Sequence, residues 1–300
     1  MIGVSRVKMD LNHLLITLTL FFIDLKIATA ANWGYCGKNG PENWPGICKT
    51  GKKQSPIDIV TEDAIKTNLG ALKFDGYDLA FPATLKNNGH SVGIDMKGVP
   101  SHLSGANLQS VYVLDHLHFH WGSEHTINGL RNPLELHIVH YNSQYANLSV
   151  AARHENGIAV VSVLFKLDKY DNPLLKSIVK ATKEVLFKVG KSALISGHLR
   201  PLVLLPKDHT TYYHYQGSLT TPACQESVAW FVLTEKLTVS KSQMNVFKHL
   251  RGDNGKLKQN YRPVQALNDR IVYHHLRFDP SNVSFNKCCL IYLDTKMLLN

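Results

Sequence analysis

Two short stretches decide the fold of this chain: Leu117-His118-Phe119-His120-Trp121, and Glu135-Leu136-His137-Ile138-Val139 a little downstream. Alternate side chains of an extended strand share a face, so His118 and His120 point the same way. About a dozen residues separate the stretches, enough for a turn that pairs them as antiparallel strands. That pairing would bring His137 beside the other two histidines, so three imidazoles would share one patch of sheet.

Three neutral imidazoles without a thiolate suit zinc, copper, nickel or iron. Three protein ligands with one open position are typical of a catalytic zinc site, although the spacing alone does not choose the metal. A single histidine on an apolar strand is more often a hydrogen-bonded core residue. Three histidines together with Glu135 in two paired strands reverse those odds, and we therefore predict a metal centre.

The N-terminus has the composition of a secretory signal peptide. Arg6 and Lys8 precede an apolar run at 14–23, and Ala28-Thr29-Ala30 supplies small residues for cleavage. We expect residues 1–30 to be removed, which makes the mature protein extracellular. The apolar run is short for a membrane helix, so we expect no transmembrane span, and a retained anchor is the alternative.

The 300 residues carry a formal net charge of +10 and are 44% hydrophobic, which is enough for a full core. A basic balance of this size can indicate affinity for polyanions or anionic membranes. The charges are scattered along the sequence without a long basic block, so we predict a solvated basic surface and no nucleic-acid partner. Because no repeat or linker follows the signal, we predict one domain at 31–279 and a C-terminal extension at 280–300.

Disulfides are expected in a secreted chain, and an odd number of cysteines leaves at least one thiol free or intermolecular. Spacing cannot give the pairing, so a monomer and a disulfide-linked dimer both remain open. The five cysteines are Cys36, Cys48, Cys224, Cys288 and Cys289. Asn147 and Asn282 each begin a glycosylation sequon.

Hydrophobic patterning predicts core strands at 111–121, 134–141 and 158–166, the last an almost continuous apolar run typical of a strand buried on both faces. Asn88-Gly89 is a hairpin-type dipeptide that leaves His90 at a turn. Apolar residues at helical spacing predict a surface helix over 173–189, and 240–243 has the capping-box spacing of a second short helix.

At these motifs the chain resembles the alpha-class carbonic anhydrases of the secreted type. The resemblance covers about residues 31–275, and several motifs in the same order make it specific. It is carried by LHFHW and ELHIVH, by WGSEHT between them, and by WGY at 33–35, QSPID at 54–58, KNNGH at 86–90, GSLTTP at 217–222 and NYRP at 260–263. It implies a mixed, mostly β fold, a single domain on a large, twisted, mostly antiparallel sheet of about ten strands with short surface helices.

The resemblance implies Zn²⁺ as the cofactor, held by His118, His120 and His137. The implied reaction is the reversible hydration of carbon dioxide to bicarbonate and a proton. Zinc lowers the pKa of bound water to roughly 7, a value known from carbonic anhydrases themselves, so neutral pH supplies hydroxide. That hydroxide attacks carbon dioxide directly, and no nucleophilic side chain is required.

The resemblance also assigns the proton-handling residues. Thr220 would accept the hydrogen bond of the hydroxide while donating its own to Glu124, because a carboxylate only accepts. Thr221 would border the substrate. His90 would carry the proton to solvent, since an imidazole titrates near neutral pH.

Hydrogen-bond acceptors behind the three ligands should hold each ligand ring in one tautomer. Glu135 fits this role for His137, and the backbone carbonyl of Asn260 fits it for His120. The family commonly has Gln where this chain has His116, and a neutral His116 could accept a hydrogen bond from His118. The resemblance further implies a water-ordering pair, Tyr35 and Asn88, an apolar wall, Val139, Val160, Leu219 and Trp230, and a disulfide between Cys48 and Cys224.

Two rival functions remain open at this point. A non-enzymatic family member would act as a binding or matrix protein, but such relatives typically lose one or more zinc histidines, and this chain keeps all three. Extracellular metal buffering would need loosely held zinc.

Overall fold

The computed structural model describes residues 33–253 and 255–277. The predicted signal peptide, the C-terminal extension, Asn282, Cys288 and Cys289 lie outside the described residues, so the predicted domain boundaries stay predictions. The described residues from Gly34 onward belong to one compact unit.

The strands of the described chain are numbered in sequence order. They are β1 Asp58–Ile59, β2 Ile65–Thr67, β3 Leu72–Asp75, β4 Thr84–Asn87, β5 Val92–Asp95, β6 His102–Gly105, β7 Tyr112–Trp121, β8 Thr126–Ile127, β9 Leu130–Arg131, β10 Leu134–Asn142, β11 Ile158–Asp168, β12 Ser192–Leu194, β13 Tyr212–Gly217, β14 Val228–Leu233, β15 Leu237–Ser240, β16 Arg251–Gly252, β17 Gly255–Lys256 and β18 Tyr273–His275.

One sheet of 13 strands dominates the fold, with the main order β12-β4-β5-β7-β10-β11-β14-β13-β18-β2. Most neighbours are antiparallel, whereas β14 and β15 pair with β11 in parallel, as do β18 and β2. The predicted fold class is confirmed. The sheet has more strands than predicted because several edge strands are only three or four residues long, too short to show a period of two.

The centre of the sheet is formed by β7, β10 and β11. All residues of β11 from Ile158 to Phe165 are buried, as the continuous apolar run predicts. On β7, Leu117 and Phe119 enter the larger core cluster. Burying a large apolar side chain contributes about 1.5–3 kcal/mol, so these residues fix which face of β7 turns inward. The opposite face is left to the histidines.

The helices are short and lie between strands or before the first strand in the sequence. They are α1 Ile47–Thr50, α2 Leu148–Ala151, α3 Lys176–Val185 and α4 Lys241–Phe247, with 3-10 turns at Gly37–Asn39, Pro41–Asn43, Pro173–Leu175 and Pro201–Leu204. The helix predicted over 173–189 starts as the 3-10 turn and is α-helical only in α3. Ser240 and Gln243 form the predicted capping box of α4.

Candidate metal centre

The three predicted ligands converge on one side of the β7–β10 pair. His118 lies directly opposite His137 in the antiparallel register, and His120 lies opposite Glu135. Each histidine offers one ring nitrogen, and these nitrogens all lie within 4.8 Å of one another. The Nε2 of His118 is 3.3 Å from the Nδ1 of His137. Strand pairing alone thus assembles a three-nitrogen site.

Two of the three rings are held by acceptors on their outer side. The Nδ1 of His120 donates to the backbone carbonyl of Asn260 at 2.6 Å, and the Nε2 of His137 donates to Glu135 at 2.7 Å. A carbonyl or a carboxylate only accepts, so the other nitrogen of each ring carries a lone pair toward the centre. Burial lowers the pKa of His120 to about 4, which keeps this ring neutral.

The partner of His118 differs from the expectation. The ring of His116 stacks on that of His118, with centroids 5.1 Å apart, and its Nδ1 bonds to the carboxylate of Asp115 at 2.7 Å. Among the described residues, the Nδ1 of His118 has no hydrogen-bond partner. The expected hydrogen bond is replaced by stacking because the bond to Asp115 holds the His116 ring parallel to that of His118, so no ring nitrogen of His116 meets the Nδ1 of His118.

Glu135 is the most heavily bonded group of the site. Besides His137, it accepts from the backbone N–H of Glu124 at 2.6 Å, from the ring of His125 at 2.7 Å and from the hydroxyl of Ser162 at 2.6 Å. Burial acts to raise the pKa of Glu135, but His125, His137 and these hydrogen bonds hold it well below its usual range. Glu135 is therefore an ionised acceptor at neutral pH.

Sequence analysis assigned no role to His125, which the structure places at the centre of this network. Its Nε2 is hydrogen-bonded to the hydroxyl of Tyr215 at 2.7 Å, and that hydroxyl lies 2.9 Å from the hydroxyl of Ser55. The ligand atoms of His125, Glu135 and His137 also lie within 4.8 Å of one another. Because their facing atoms bond to each other, we interpret this group as a support for the metal centre.

Glu124 is buried beside the three histidines. Burial raises its pKa to about 7. One carboxylate oxygen accepts from the backbone N–H of Arg262 at 2.8 Å, and the other lies 3.5 Å from the Nε2 of His120. The side-chain hydroxyl of Thr220 interacts with the same carboxylate and acts to lower its pKa. The structure thus brings Glu124 and Thr220 together next to the predicted metal.

His90 lies on the turn between β4 and β5 with 23% of its side chain exposed. The side-chain oxygen of Asn88 accepts from the backbone N–H groups of His90 and Ser91, at 2.9 and 2.7 Å, and so shapes this turn. The Nε2 of His90 is 3.9 Å from Asp253. Burial lowers the pKa of His90, and the charge of Asp253 acts in the opposite direction.

Tyr35 and Thr221 complete the predicted polar residues. Tyr35 is buried, and burial together with the charge of Glu124 raises the pKa of its hydroxyl well above the usual value. Thr221 is half-buried, and its carbonyl accepts from the backbone N–H of Cys224 at 2.8 Å. Tyr35 is therefore close enough to Glu124 for the two groups to influence each other.

The predicted apolar wall lies on three adjacent strands. Val139 pairs with Val160, and Val160 pairs with Trp230. Leu219 packs against the same cluster. The ring of Trp230 lies 4.8 Å from that of His137, centroid to centroid. These four residues thus form a continuous apolar surface beside the histidines.

A disulfide between Cys48 and Cys224 joins α1 to the segment after Thr221. The amide of Gln54 donates to the carbonyl of Cys224 at 3.1 Å, and the guanidinium of Arg262 donates to the carbonyl of Cys48 at 2.8 Å. The N-terminal segment is therefore tied covalently and by hydrogen bonds to the loop that carries the threonines.

Cys36 and Asn147, for which sequence analysis left a free thiol and glycosylation open, both lie on the surface. Cys36 is exposed and has no disulfide among the described residues. Asn147 is exposed, and its side-chain oxygen caps α2 by accepting from the N–H of Val150 at 3.0 Å. No helix in the described part of the chain is long and apolar enough to cross a membrane.

A family model described as eukaryotic-type carbonic anhydrase matches residues 39–276 of the chain. The chain belongs to this family. Membership confirms the predicted enzyme class, since carbonic anhydrases are lyases that hydrate carbon dioxide. All the motifs that carry the resemblance, except WGY at 33–35, fall inside the matched residues.

Similar proteins support the same conclusion. The chain is 36% identical over 275 residues to mouse "Carbonic anhydrase 6", with 85% of this chain and 84% of that protein covered. It is 35% identical over 257 residues to "Putative carbonic anhydrase 3" of Caenorhabditis elegans, with coverage of 81% and 97%. Mouse "Carbonic anhydrase 7" is 36% identical over 257 residues, with coverage of 80% and 96%. Each of these matches covers at least 80% of this chain.

Proposed function

We propose that the chain is a secreted, zinc-dependent enzyme that converts carbon dioxide and water reversibly to bicarbonate and a proton. His118, His120 and His137 would hold the zinc, and His90 would pass the proton to solvent. The observation that carries the proposal is the convergence of three ring nitrogens within 4.8 Å beside a buried carboxylate and an apolar wall.

The donor set fits zinc. All three donors are imidazole nitrogens, and the buried Nε2 of His120 has no hydrogen-bond partner among the described residues. Burial lowers the pKa of all three histidines, and metal ligation needs neutral rings. Zinc bound by three histidines brings a water molecule to a pKa of roughly 7, the value known for carbonic anhydrases, and so supplies the nucleophile at neutral pH.

Glu124 and Thr220 set the orientation of the reacting oxygen. In its ionised form, Glu124 would accept from the backbone N–H of Arg262 and from the Thr220 hydroxyl, both of which act to lower its pKa against the effect of burial. Thr220 would then use its only proton to donate to Glu124. Its oxygen could still accept a hydrogen bond, and the donor would be the proton of the reacting hydroxide. Thr220 would thus accept a hydrogen bond from the hydroxide that zinc supplies and so orient it.

The apolar wall would hold the substrate. Carbon dioxide has no charge and no strong hydrogen-bonding group, so it gains from a surface that excludes water. Val139, Val160 and Trp230 are all nearly fully buried and offer such a surface beside His137. Thr221, two residues after Leu219 of this wall, would border the substrate.

The proton would leave through His90. This histidine is partly exposed, and its turn is fixed by Asn88, so it can exchange protons with solvent while staying in place. Tyr35, whose hydroxyl stays protonated, would help to order the water between Glu124 and the turn. Asn88 contributes through the turn geometry, since its side-chain oxygen is bonded to the backbone.

Secretion is part of the proposal. It is supported by the signal-like composition of residues 1–30 and by the Cys48–Cys224 disulfide, since disulfides persist in oxidising compartments. Asn147 is exposed and available for glycosylation. A monomer is the simplest state, and Cys36 leaves a disulfide-linked dimer open.

The proposal is tested by measuring zinc content and carbon dioxide hydration together, on purified wild type and on His118→Ala. We expect one zinc per chain and rapid hydration in wild type, and loss of both in the variant. A zinc-replete wild type without hydration would favour a binding role. Zinc that exchanges freely with a weak chelator would favour metal buffering.

A further inference from the structure

The positive charge of this protein is concentrated in two segments. Residues 166–191 and 235–258 together hold thirteen lysines and arginines against five aspartates and glutamates, a net charge of +8 out of the +10 of the whole chain. The first segment contains α3 and the second contains α4, and the two helices are in contact. The two basic segments therefore meet in the fold at these helices.

Three lysines of α3 share one side of that helix. Lys176, Lys180 and Lys183 follow each other at spacings of four and three residues, so their side chains project from the same face. All three line a cavity of about 530 Å³ between α3 and α4, whose lining also includes Val179 and Val246. The lining also includes the carboxylate of Asp171, which accepts a hydrogen bond from the Ser240 hydroxyl, so the charged side chains of this cavity sum to +2.

The cationic surface continues past the end of α3. Lys188 and Lys191 line a neighbouring cavity of about 590 Å³. The guanidinium of Arg251 lies over the exposed ring of Phe187, 5.8 Å from its centroid, and Arg251 faces Lys256 across the β16–β17 hairpin. We call Lys176, Lys180, Lys183, Lys188, Lys191 and Arg251 the lysine face.

The cations of the lysine face outnumber the acidic side chains around them, of which Glu184 lines the second cavity. Within the described residues, none of them has a carboxylate oxygen within 4.0 Å, and all are exposed. The first turn of α3 holds Lys176 and no acidic residue, although the N-terminus of a helix favours negative charge. Mutual repulsion opposes this arrangement, whereas the helix dipole disfavours Lys176 and favours Lys183 in the last turn. A bound polyanion would relieve the repulsion.

We propose that the lysine face binds a sulfated polysaccharide outside the cell. A linear polyanion can contact several cations in a row, and its binding is favoured by the release of condensed counterions, as for nucleic acids. Sulfated polysaccharide is favoured over nucleic acid because the proposed secretion and the disulfide place the protein in an extracellular, oxidising environment. The inference rests on the proposed secretion and not on the catalytic proposal.

Binding at this surface would leave catalysis unchanged. None of the residues of the lysine face belongs to the metal centre, the apolar wall or the proton path. The polysaccharide would hold the enzyme at a cell surface or matrix while the site stays open to carbon dioxide. Retention and catalysis can therefore be measured separately.

The test compares two triple variants of the full mature chain. K176Q/K180Q/K183Q removes three charges from the lysine face, and K66Q/K73Q/K207Q removes three charges from exposed lysines elsewhere. Affinity for heparin is measured at about 0.15 M salt, and hydration activity is measured in parallel. A lysine near an anionic surface contributes about five-fold in affinity, so we expect about a 100-fold loss for the first variant. The second variant should stay within a few-fold of wild type, and all three proteins should hydrate carbon dioxide equally.

The proposal is wrong if wild type does not bind heparin at this salt, or if both variants lose affinity equally, which would show a dependence on net charge alone. Duplex DNA and vesicles containing phosphatidylserine are the other probes. Tighter binding to either of these than to heparin would overturn the assignment in favour of a nucleic acid or a membrane surface.

Discussion

His118 is the ligand whose outer nitrogen has no acceptor among the described residues, whereas His120 and His137 are each fixed by one. Loss of the acceptor behind a metal-bound histidine typically lowers metal affinity by about 10–100-fold. The missing acceptor of His118 should therefore lower zinc affinity by a measurable factor. The cause is local, because the ring of His116 is bonded to Asp115. The zinc affinity of this protein should therefore respond to the side chain at this one position.

We expect His116→Gln to tighten zinc binding by about ten-fold, because the amide oxygen of glutamine can accept from the Nδ1 of His118. The measurement is zinc affinity by competition with a chelator. The matched control is His116→Leu, which removes the ring without supplying an acceptor and should not tighten binding. Equal affinities for the Gln and Leu variants would contradict this account.

The pKa of His90 is set by two opposing influences. Burial lowers it, and the charge of Asp253, 3.9 Å away, raises it. Asp253→Asn removes the raising influence, so the pKa of His90 should fall further below its ordinary value. Less of the imidazole would then be protonated at neutral pH, and the pH profile of proton release should move toward acid.

NMR titration of the His90 imidazole measures this effect directly. Asp95→Asn removes an exposed carboxylate from the neighbouring strand β5 and serves as the control. A rise in the pKa of His90 in the Asp253 variant, or equal changes in both variants, would show that Asp253 does not act on the proton path.

At the scale of elements, the pairing of β7 with β10 is what the sequence predicts best. A period of two places the histidines of LHFHW on one face, and the register then aligns His118 with His137. Non-local contacts were not predictable in the same way. The network from His125 to Tyr215 and Ser55 joins residues from three distant segments, and no local pattern in the sequence connects them. The ring orientation of His116 was also missed, because alternation fixes the face of a side chain and leaves its rotamer open.

The disulfide links two elements that flank the site. Cys48 and Cys224 are separated by 176 residues, and cross-links that close long loops stabilise by about 2–5 kcal/mol. We expect Cys48→Ser/Cys224→Ser to lower the free energy of unfolding by about this amount. Hydration activity should also fall, because the loop that carries Thr220 loses its covalent anchor.

Urea denaturation gives the change in stability, and Cys36→Ser is the control because Cys36 is exposed and outside the disulfide. An unchanged unfolding midpoint in the double variant would show that Gln54 and Arg262 alone hold the segment. Loss of stability in Cys36→Ser as well would point to a wider role for the cysteines.

At the scale of the whole molecule, one sheet positions all parts of the proposed site. The ligands come from β7 and β10, the apolar wall from β10, β11 and β14, and the shuttle from the turn between β4 and β5. The resemblance to carbonic anhydrases predicted this assembly because its motifs span the chain. Neither the resemblance nor the sequence order predicted the lysine face. Five of its six cations lie within residues 176–191, but acidic and apolar residues separate them in the sequence, and Arg251 joins them only in the folded chain.

The central claim is that one zinc ion held by His118, His120 and His137 is responsible for hydration of carbon dioxide. Its most direct test is to remove the metal from the folded protein, titrate zinc back, and follow zinc content and hydration together. We expect activity to disappear on removal and to return in proportion to zinc, reaching its full value at one zinc per chain. Full activity in the metal-free protein, or zinc binding at these histidines without recovery of hydration, would contradict the account.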